Sequence, residues 1–237
     1  MSDQNSRLIV VLDYPDMDSA LTMAKSLDPA LCRVKVGKEL FTRAGPQVLE
    51  ALRSLGFDIF LDLKYHDIPN TVAQAVQAAA EAGVWMVNVH ASGGPRMMAS
   101  ARNMLDRFSA ELRPLLIAVT VLTSMDQQEL NTLGIPGSLE DQVIRLAKLA
   151  RESGMDGVVC SALEAGKIKQ ACGSGFVTVT PGIRPAGTAA NDQARIMTPS
   201  EAVRSGADYL VVGRPITEAD NPMKVVKKIL AEIASLN

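Results

Sequence analysis

The chain has 237 residues, of which 47% are hydrophobic and 4% aromatic, and its formal net charge is −2. This composition suits a compact soluble protein. It disfavours nucleic acid as a partner because there is no long basic tract and the aromatic side chains are too few for base stacking. No apolar stretch is long enough to span a membrane, and residues 1–7 lack the apolar core of a signal peptide. We therefore expect a cytoplasmic protein whose cysteines, Cys32, Cys160 and Cys172, are reduced and structural.

Apolar runs of strand length alternate with helix-like segments along the whole chain. The predicted strands cover residues 7–13, 32–37, 58–64, 85–90, 115–121, 157–160, 176–180 and 209–213. The predicted helices cover residues 19–27, 47–55, 71–82, 139–153, 162–171 and 223–234, with a Met-rich helix after residues 91–94. Eight strand-then-helix units predict an α/β protein, a single-domain (β/α)8 barrel over residues 1–237. A doubly wound sheet is the alternative, and it is disfavoured because no Gly-x-Gly-x-x-Gly follows the first strand.

The third predicted strand carries charged residues in an apolar setting. Side chains alternate along a strand, so Phe60, Asp62 and Lys64 are predicted to share one face. Buried charges cost several kcal/mol unless they are paired, so this arrangement requires either a structural partner or a function. A structural ion pair that holds a loop in place would be enough to explain an isolated Asp-x-Lys, and the rest of the chain must decide between the two.

Residues 65–71 lead from this strand into the next helix. Asp67 lies three residues beyond Lys64, at the predicted exit of the strand. Pro69 ends the extended segment, and Asn70 is a suitable N-cap for a helix that begins near Thr71. The loop therefore adds one more carboxylate near the end of the strand.

Polar residues end or follow most of the predicted strands, and in a (β/α)8 barrel the chemistry lies at the carboxyl ends of the strands. The residues placed on this rim are Asp13, Lys35, Asp62, Lys64, His90, Thr123, Arg184 and Arg214. Each of them could simply cap a helix. However, Asp13, Lys35, Asp62 and Lys64 come from the first three strands and are predicted to alternate in sign, with Asp67 as a fifth charge nearby.

The last two strands are followed by arginines and glycines, where such barrels frequently bind phosphate. Arg184 and Arg214 lie close in sequence to glycines at positions 182, 187 and 213. Backbone N–H groups of a glycine-rich turn, together with a guanidinium, form a site for a dianion. The segment 182–197 lacks apolar periodicity and is predicted to be a binding loop or lid, with Gln193 as a polar contact to the ligand.

The two histidines, His66 and His90, could suggest a metal site. Such a site would need acidic ligands that are not already matched by lysines. Lys35 and Lys64 are interleaved with the acidic residues and would repel a divalent cation, so we expect no metal.

Several motifs resemble those of one enzyme family. Residues 62–71 read Asp-Leu-Lys-Tyr-His-Asp-Ile-Pro-Asn-Thr, and further matching segments lie at 12–13, 35–37, 87–94, 120–124, 180–185 and 212–215. Together they resemble the orotidine 5′-monophosphate decarboxylase family of the bacterial type. The combination is more specific than its Asp-x-Lys-x-x-Asp core, which sugar-phosphate decarboxylases of the same suprafamily share.

The resemblance implies a cofactor-independent lyase that converts orotidine 5′-monophosphate to uridine 5′-monophosphate, the last step of de novo UMP biosynthesis. It implies that Lys64 donates a proton to C6 of the pyrimidine. Asp62 and Asp67 are implied to flank Lys64, and Lys35 to complete an alternating tetrad. Asp67 and Thr71 are implied to reach into the neighbouring subunit's site, which makes the protein a homodimer with shared active sites.

The resemblance also implies a set of contacts to the substrate. The implied substrate-binding residues are Asp13, Lys35, Thr71, Thr123, Arg184, Gln193, Gly213 and Arg214. Among them, Asp13 would bind ribose hydroxyls, Thr123 and Gln193 would contact base or phosphate, and Arg184 and Arg214 would serve the phosphate end.

Two other functions remain as alternatives at this point. A related decarboxylase or epimerase acting on a sugar phosphate would form an enediolate, normally held by Mg²⁺, and would need an acidic metal ligand rather than Lys35 beside Asp62. A non-catalytic barrel that binds nucleotides would tolerate the loss of Lys64, whereas the full set of charges is present here.

Overall fold

The computed structural model of the protein describes residues 6–185, 197–234 and 236. Within these residues, eight parallel strands close into a barrel in chain order, and the last strand pairs with the first. The strands are β1 (Leu8–Val11), β2 (Arg33–Gly37), β3 (Ile59–Tyr65), β4 (Met86–His90), β5 (Leu115–Val119), β6 (Gly157–Val159), β7 (Val177–Thr180) and β8 (Tyr209–Val212). The predicted (β/α)8 barrel is confirmed.

Helices connect successive strands around the barrel. They are α1 (Met17–Lys25), α2 (Lys38–Ala44), α3 (Gln47–Ser54), α4 (Pro69–Glu81), α5 (Pro95–Leu105), α6 (Gln127–Thr132), α7 (Leu139–Glu152), α8 (Ala162–Cys172), α9 (Pro199–Arg204), α10 (Arg214–Thr217) and α11 (Pro222–Ala234). The sequence pattern did not predict α2, α6, α9 and α10. These helices have only 7, 6, 6 and 4 residues, too few to display an apolar period.

Helix α4 begins earlier than predicted. Its first residue is Pro69 and the cap position is Ile68, so the prediction that Asn70 caps a helix beginning near Thr71 is wrong. Proline suits the first helical position because its φ is already helical and it has no N–H group that would need a partner there. Asp67 therefore lies immediately before the cap residue.

The barrel interior is filled by apolar side chains from alternating strand positions, as expected for a closed sheet. The buried members of this inner layer are Ile9, Phe60, Met86, Ile117, Val179 and Val211. Neighbouring residues such as Leu8, Val10 and Leu61 point outward and pack in the larger layer between the strands and the helices. Within the described residues, the interior formed by this layer is thus a packed core, so a ligand would bind outside it.

The amino-terminal end of the barrel is closed by a buried arginine. The guanidinium carbon of Arg33 lies 4.2 Å from the centroid of the Trp85 ring and 5.5 Å from that of Tyr209. Its Nε contacts a carboxylate oxygen of Asp58 at 3.2 Å, and its Nη1 donates to the carbonyl oxygen of Ser6. These contacts fill this end, which leaves the carboxyl end of the strands for a site.

The three cysteines belong to the hydrophobic core. Cys32, Cys160 and Cys172 are buried, and they form no disulfide within the described residues. Burial raises the pKa of the Cys32 thiol to about 12, so this thiol is protonated at neutral pH. None of the helices in the described parts of the chain is long and apolar enough to cross a membrane.

Candidate active site

A cavity of about 610 Å³ opens at the carboxyl ends of the strands. This volume lies within the usual range for sites that bind small molecules. Eight of the predicted site residues line the cavity: Asp13, Lys35, Asp62, Lys64, Thr123, Arg184, Gly213 and Arg214. One side of the wall is apolar and includes Val119, Val121, Val159 and Val211. The cavity therefore combines charged ends with an apolar surface on which a ring could lie.

Four charged side chains form a chain of contacts along one wall. Lys35 Nζ lies 3.3 Å from Asp13 Oδ1 and 3.2 Å from Asp62 Oδ2. Lys64 Nζ contacts Asp62 Oδ1 at 2.6 Å. The order Asp13, Lys35, Asp62, Lys64 thus alternates in sign from one end to the other. The structure brings these four residues together in the order that the sequence suggested.

The charge chain controls the protonation of its own members. Burial alone would raise the pKa of Asp62, but the ammonium groups of Lys35 and Lys64 outweigh it and lower this pKa to about 2. Burial would lower the pKa of Lys35, but the carboxylates of Asp62 and Asp13 outweigh it and raise this pKa. At neutral pH, Asp62 is therefore ionised and Lys35 is protonated.

Lys64 has an unusual backbone conformation. Its φ is +52°, in the left-handed region, and it is the one non-glycine residue with positive φ in the described parts of the chain. An L-residue pays about 1–2 kcal/mol for this conformation. Phe60, Asp62 and Lys64 all line the cavity. The pairing of β3 with β4 becomes irregular between Leu61 and Tyr65, however, so simple alternation does not explain the position of Lys64.

Asn88 and Gly37 belong to this site but were not predicted as site residues. Asn88 is fully buried on β4, and its amide donates to Asp62 Oδ1 at 2.7 Å. A Cβ on Gly37 would lie 2.7 Å from Asp13 Oδ1, so the glycine leaves room for that carboxylate. A polar amide in the middle of the apolar run Met86–His90 was the available signal for Asn88, because buried amides need hydrogen-bond partners.

Two arginines that follow β7 and β8 also line the cavity. Arg184 is 7% exposed, its Nη1 donates to the carbonyl oxygen of Ile183 at 3.0 Å, and its Nε has no hydrogen-bond partner within the described residues. Burial lowers the pKa of Arg184, and the nearby charge of Arg214 lowers it further. Two like charges beside one cavity, with a donor still unused, favour an anion.

The predicted binding loop is described only at its two ends. The N–H of Arg184 donates to the carbonyl oxygen of Met197 at 2.9 Å, and the N–H of Met197 donates to that of Gly182 at 3.3 Å. The two ends of the segment are thus held side by side at the mouth of the cavity. Gln193 and Gly187, which were predicted to contribute to binding, lie outside the described residues.

Asp67 and Thr71 do not line this cavity. Both are exposed, and the carboxylate of Asp67 accepts the N–H of Ile68 at 2.6 Å. Asp67 instead lines a separate shallow depression, together with His66, Ile68 and Arg96. Within one chain, the carboxylate expected as the fifth charge of the site therefore lies apart from the other four.

The rings of the two histidines pack against each other. The ring centroids of His66 and His90 are 5.5 Å apart. Burial, followed by the proximity of His66, lowers the pKa of His90 to about 4, so it is neutral at pH 7. In the parts of the chain that the structure describes, no group of three or more His, Cys, Asp or Glu side chains could hold a metal ion.

The closed barrel, its cavity at the carboxyl ends of the strands and the buried charge chain define a (β/α)8-barrel enzyme. The family described as "Orotidine 5'-phosphate decarboxylase / HUMPS family" matches residues 6–229, and the chain belongs to this family.

Named relatives and solved structures cover almost the whole chain. The orotidine 5'-phosphate decarboxylase of Alcanivorax borkumensis is 61% identical over 97% of this chain and 99% of its own length. That of Teredinibacter turnerae is 60% identical over 98% of this chain and its full length. The crystal structure of orotidine 5'-phosphate decarboxylase from Lactobacillus acidophilus is 40% identical with a TM-score of 0.86, covering 96% of this chain and 99% of the other.

Proposed function

We propose that this protein decarboxylates orotidine 5′-monophosphate to uridine 5′-monophosphate. The observation that carries the proposal is that one cavity is lined both by Lys64, which is paired with Asp62, and by Arg184 and Arg214. A nucleotide with a reactive pyrimidine and a 5′-phosphate needs this combination of a proton donor and an anion site. The names of the relatives, which match over nearly their full length, support the same reaction.

Lys64 is the proton donor in this proposal. Loss of CO2 from C6 leaves an electron pair in an sp2 orbital that the pyrimidine ring delocalises poorly. The ammonium of Lys64 stabilises this developing charge by preorganised electrostatics, and it then transfers one proton to C6 to give the product. The reaction uses no electron-sink cofactor in this scheme, because the charged side chains themselves stabilise the carbanion.

Asp62 and Lys35 hold the donor in its working state. The ionised carboxylate of Asp62 lies 2.6 Å from Lys64 Nζ, which favours the protonated amine before the reaction. Lys35 neutralises the other oxygen of Asp62 at 3.2 Å. With ammonium groups on both sides, Asp62 cannot also bind a divalent cation, so we propose that catalysis is independent of metal.

The remaining cavity residues bind the rest of the nucleotide. Arg184 and Arg214, together with the backbone at Gly213, receive the phosphate. Asp13, at the outer end of the charge chain, binds ribose hydroxyls, and Thr123 on the opposite wall contacts the base. Gln193 is proposed as a further contact on the basis of the sequence alone, since it lies outside the described residues.

Asp67 and Thr71 are proposed to complete the site of a neighbouring subunit in a homodimer. Both residues are exposed and lie outside their own cavity. A two-fold interface would place Asp67 and Thr71 of each subunit at the active site of the other subunit, so that one dimer contains two composite sites. The composition further favours a cytoplasmic enzyme without a nucleic-acid partner.

The direct test follows the loss of orotidylate absorbance with purified protein. We expect a decrease that requires the protein and that exhaustive chelation leaves unchanged. A protein without this activity, or one whose activity is lost on chelation and restored by Mg²⁺, would instead favour the related reactions on sugar phosphates.

A further inference from the structure

Strand β3 contains a bulge that lies opposite one residue of β4. Leu61 pairs with Val87, and the next pair is Tyr65 with Val89, so three residues of β3 face Asn88 alone. Lys64, at the end of this bulge, has a φ of +52°. Bulges leave residues without ladder partners and redirect side chains, and they are frequent beside active sites. The direction of the Lys64 side chain therefore depends on what holds the bulge.

The side chain of Asn88 connects the two functional residues of the bulge. Its Nδ2 donates to Asp62 Oδ1 at 2.7 Å, and its Oδ1 accepts the backbone N–H of Lys64 at 2.8 Å. The orientation of the amide follows from chemistry, because an ionised carboxylate only accepts and a backbone N–H only donates. Asn88 is 0% exposed, so water does not compete for either bond.

We propose that Asn88 is a positioning residue, which fixes the bulge so that the Lys64 ammonium lies on Asp62 and points into the cavity. The inference rests on the proposed role of Lys64 as proton donor. One amide holds both the backbone of Lys64 and the carboxylate that pairs with its side chain. Asn88 does not line the cavity and touches no substrate atom in this scheme.

The arrangement predicts a specific pH dependence of kcat for the substitution Asn88→Asp. This change keeps the size of the side chain and the acceptor for the Lys64 N–H, but it replaces the donor to Asp62 with a second carboxylate oxygen. Two adjacent carboxylates share a proton at a raised pKa. When that proton is present, the new carboxyl donates to Asp62 as the amide does in the wild type; when it is absent, the two groups repel.

The titratable groups around residue 88 do not obscure this pH dependence of kcat. They are Asp62 and Lys64 on β3, Lys35 on β2 through its contact with Asp62, and His90 on β4 itself. The residue paired with Asn88 on β5 is the apolar Ile117. His90 has a pKa lowered to about 4 by burial and by the proximity of His66, so it stays neutral above pH 5.

The experiment measures kcat and KM of the wild type and of Asn88→Asp between pH 5 and 9. At pH 8 we expect kcat to fall about 10- to 100-fold, the size of effect caused by misplacing a catalytic group by about 1 Å, while KM changes less than about threefold. As the pH is lowered, the ratio of the variant's kcat to that of the wild type should rise. Asn88→Ala, which loses both bonds without adding a charge, should be impaired at every pH.

Thr178→Val provides the matched control. Thr178 is a fully buried strand residue whose hydroxyl donates to the carbonyl oxygen of Gly206 at 2.7 Å, away from the cavity. We expect it to lower the melting temperature and to leave kcat unchanged. An equal loss of kcat in this control, a loss in Asn88→Asp that does not depend on pH, or a folded Asn88→Ala within about twofold of the wild type would overturn the proposal. If the wild type itself fails to decarboxylate, the proposed function fails instead.

Discussion

The two ends of the barrel each hold a buried cation from strand β2 and use it in different ways. Arg33 and Lys35 lie two residues apart, and their side chains are only 7% and 9% exposed. Arg33 faces the rings of Trp85 and Tyr209 at the amino-terminal end. Lys35 lies beside the cavity at the carboxyl end and is linked to Lys64 through Asp62. Neither burial nor pairing therefore distinguishes a structural charge from one available for chemistry.

The difference lies in the space around each charged group. Aromatic rings and the carbonyl of Ser6 surround the Arg33 guanidinium, so a ligand has no room to approach it. The Lys64 side chain is 25% exposed and borders a cavity of about 610 Å³. A ligand can thus reach the ammonium of Lys64 from the cavity while this ammonium remains paired with the carboxylate of Asp62. Substitutions at the two ends of the barrel test this contrast, from the largest expected effect on activity to the smallest.

Lys64→Ala should remove the chemistry and leave the fold intact. We expect kcat to fall by about 10³-fold or more, since general acid catalysis alone contributes up to about 10⁴-fold. The partly exposed side chain contributes little to the core, so the melting temperature and the binding of uridine 5′-monophosphate should change little. Steady-state kinetics and calorimetric titration measure the two effects. A variant that keeps substantial turnover would show that another group donates the proton.

Arg214→Ala should chiefly weaken binding of the phosphate. A hydrogen bond to a charged group contributes about 1.5–3 kcal/mol, so kcat/KM should fall about 10- to 100-fold. Orotidine, which lacks the phosphate, serves as the control substrate and should be affected little by the change. Equal losses on both substrates would contradict the assignment of this end of the cavity to phosphate.

Mixing two inactive variants should restore part of the activity if the active site at the carboxyl ends of the strands is incomplete within one chain. In a mixed dimer of Lys64→Ala and Asp67→Asn, one site has both defects and the other has native Lys64 and native Asp67. Random pairing makes about half of the dimers mixed, so activity should recover to about a quarter of the wild type. If native mass spectrometry shows that subunits exchange and the mixture stays inactive, Asp67 acts within its own subunit.

Arg33→Ala should produce the opposite result, a loss of stability without a loss of turnover per folded molecule. It removes the stacking on Trp85 and the contact with Asp58. The free energy of unfolding should fall by about 2 kcal/mol, measured by urea denaturation. Arg113→Ala removes a more exposed pair with Asp106 and should cost less than about 1 kcal/mol. A fall in kcat for folded Arg33→Ala would mean that the two ends of the barrel are coupled.

The pattern of apolar runs was sufficient to predict the order of the strands and the residues at their carboxyl ends. Each strand of a (β/α)8 barrel is buried and carries its own apolar signal, and all strands end at the same rim. The local sequence therefore placed Asp13, Lys35 and Asp62 on one edge without knowledge of any contact. The helices of 4 to 7 residues escaped prediction because they are too short to show a period.

The geometry around Lys64 could not be derived in the same way, because it depends on partners that are distant in the chain. The bulge in β3 is visible only in its pairing with β4, and the amide that bridges it comes from Asn88, 24 residues after Lys64. Asp67 follows Lys64 by three residues, yet the loop carries it away from the charges beside Lys64. Strand patterns report which residues are buried. The direction of a side chain at a bulge or in a loop depends on hydrogen bonds between elements, and those bonds form only in the folded barrel.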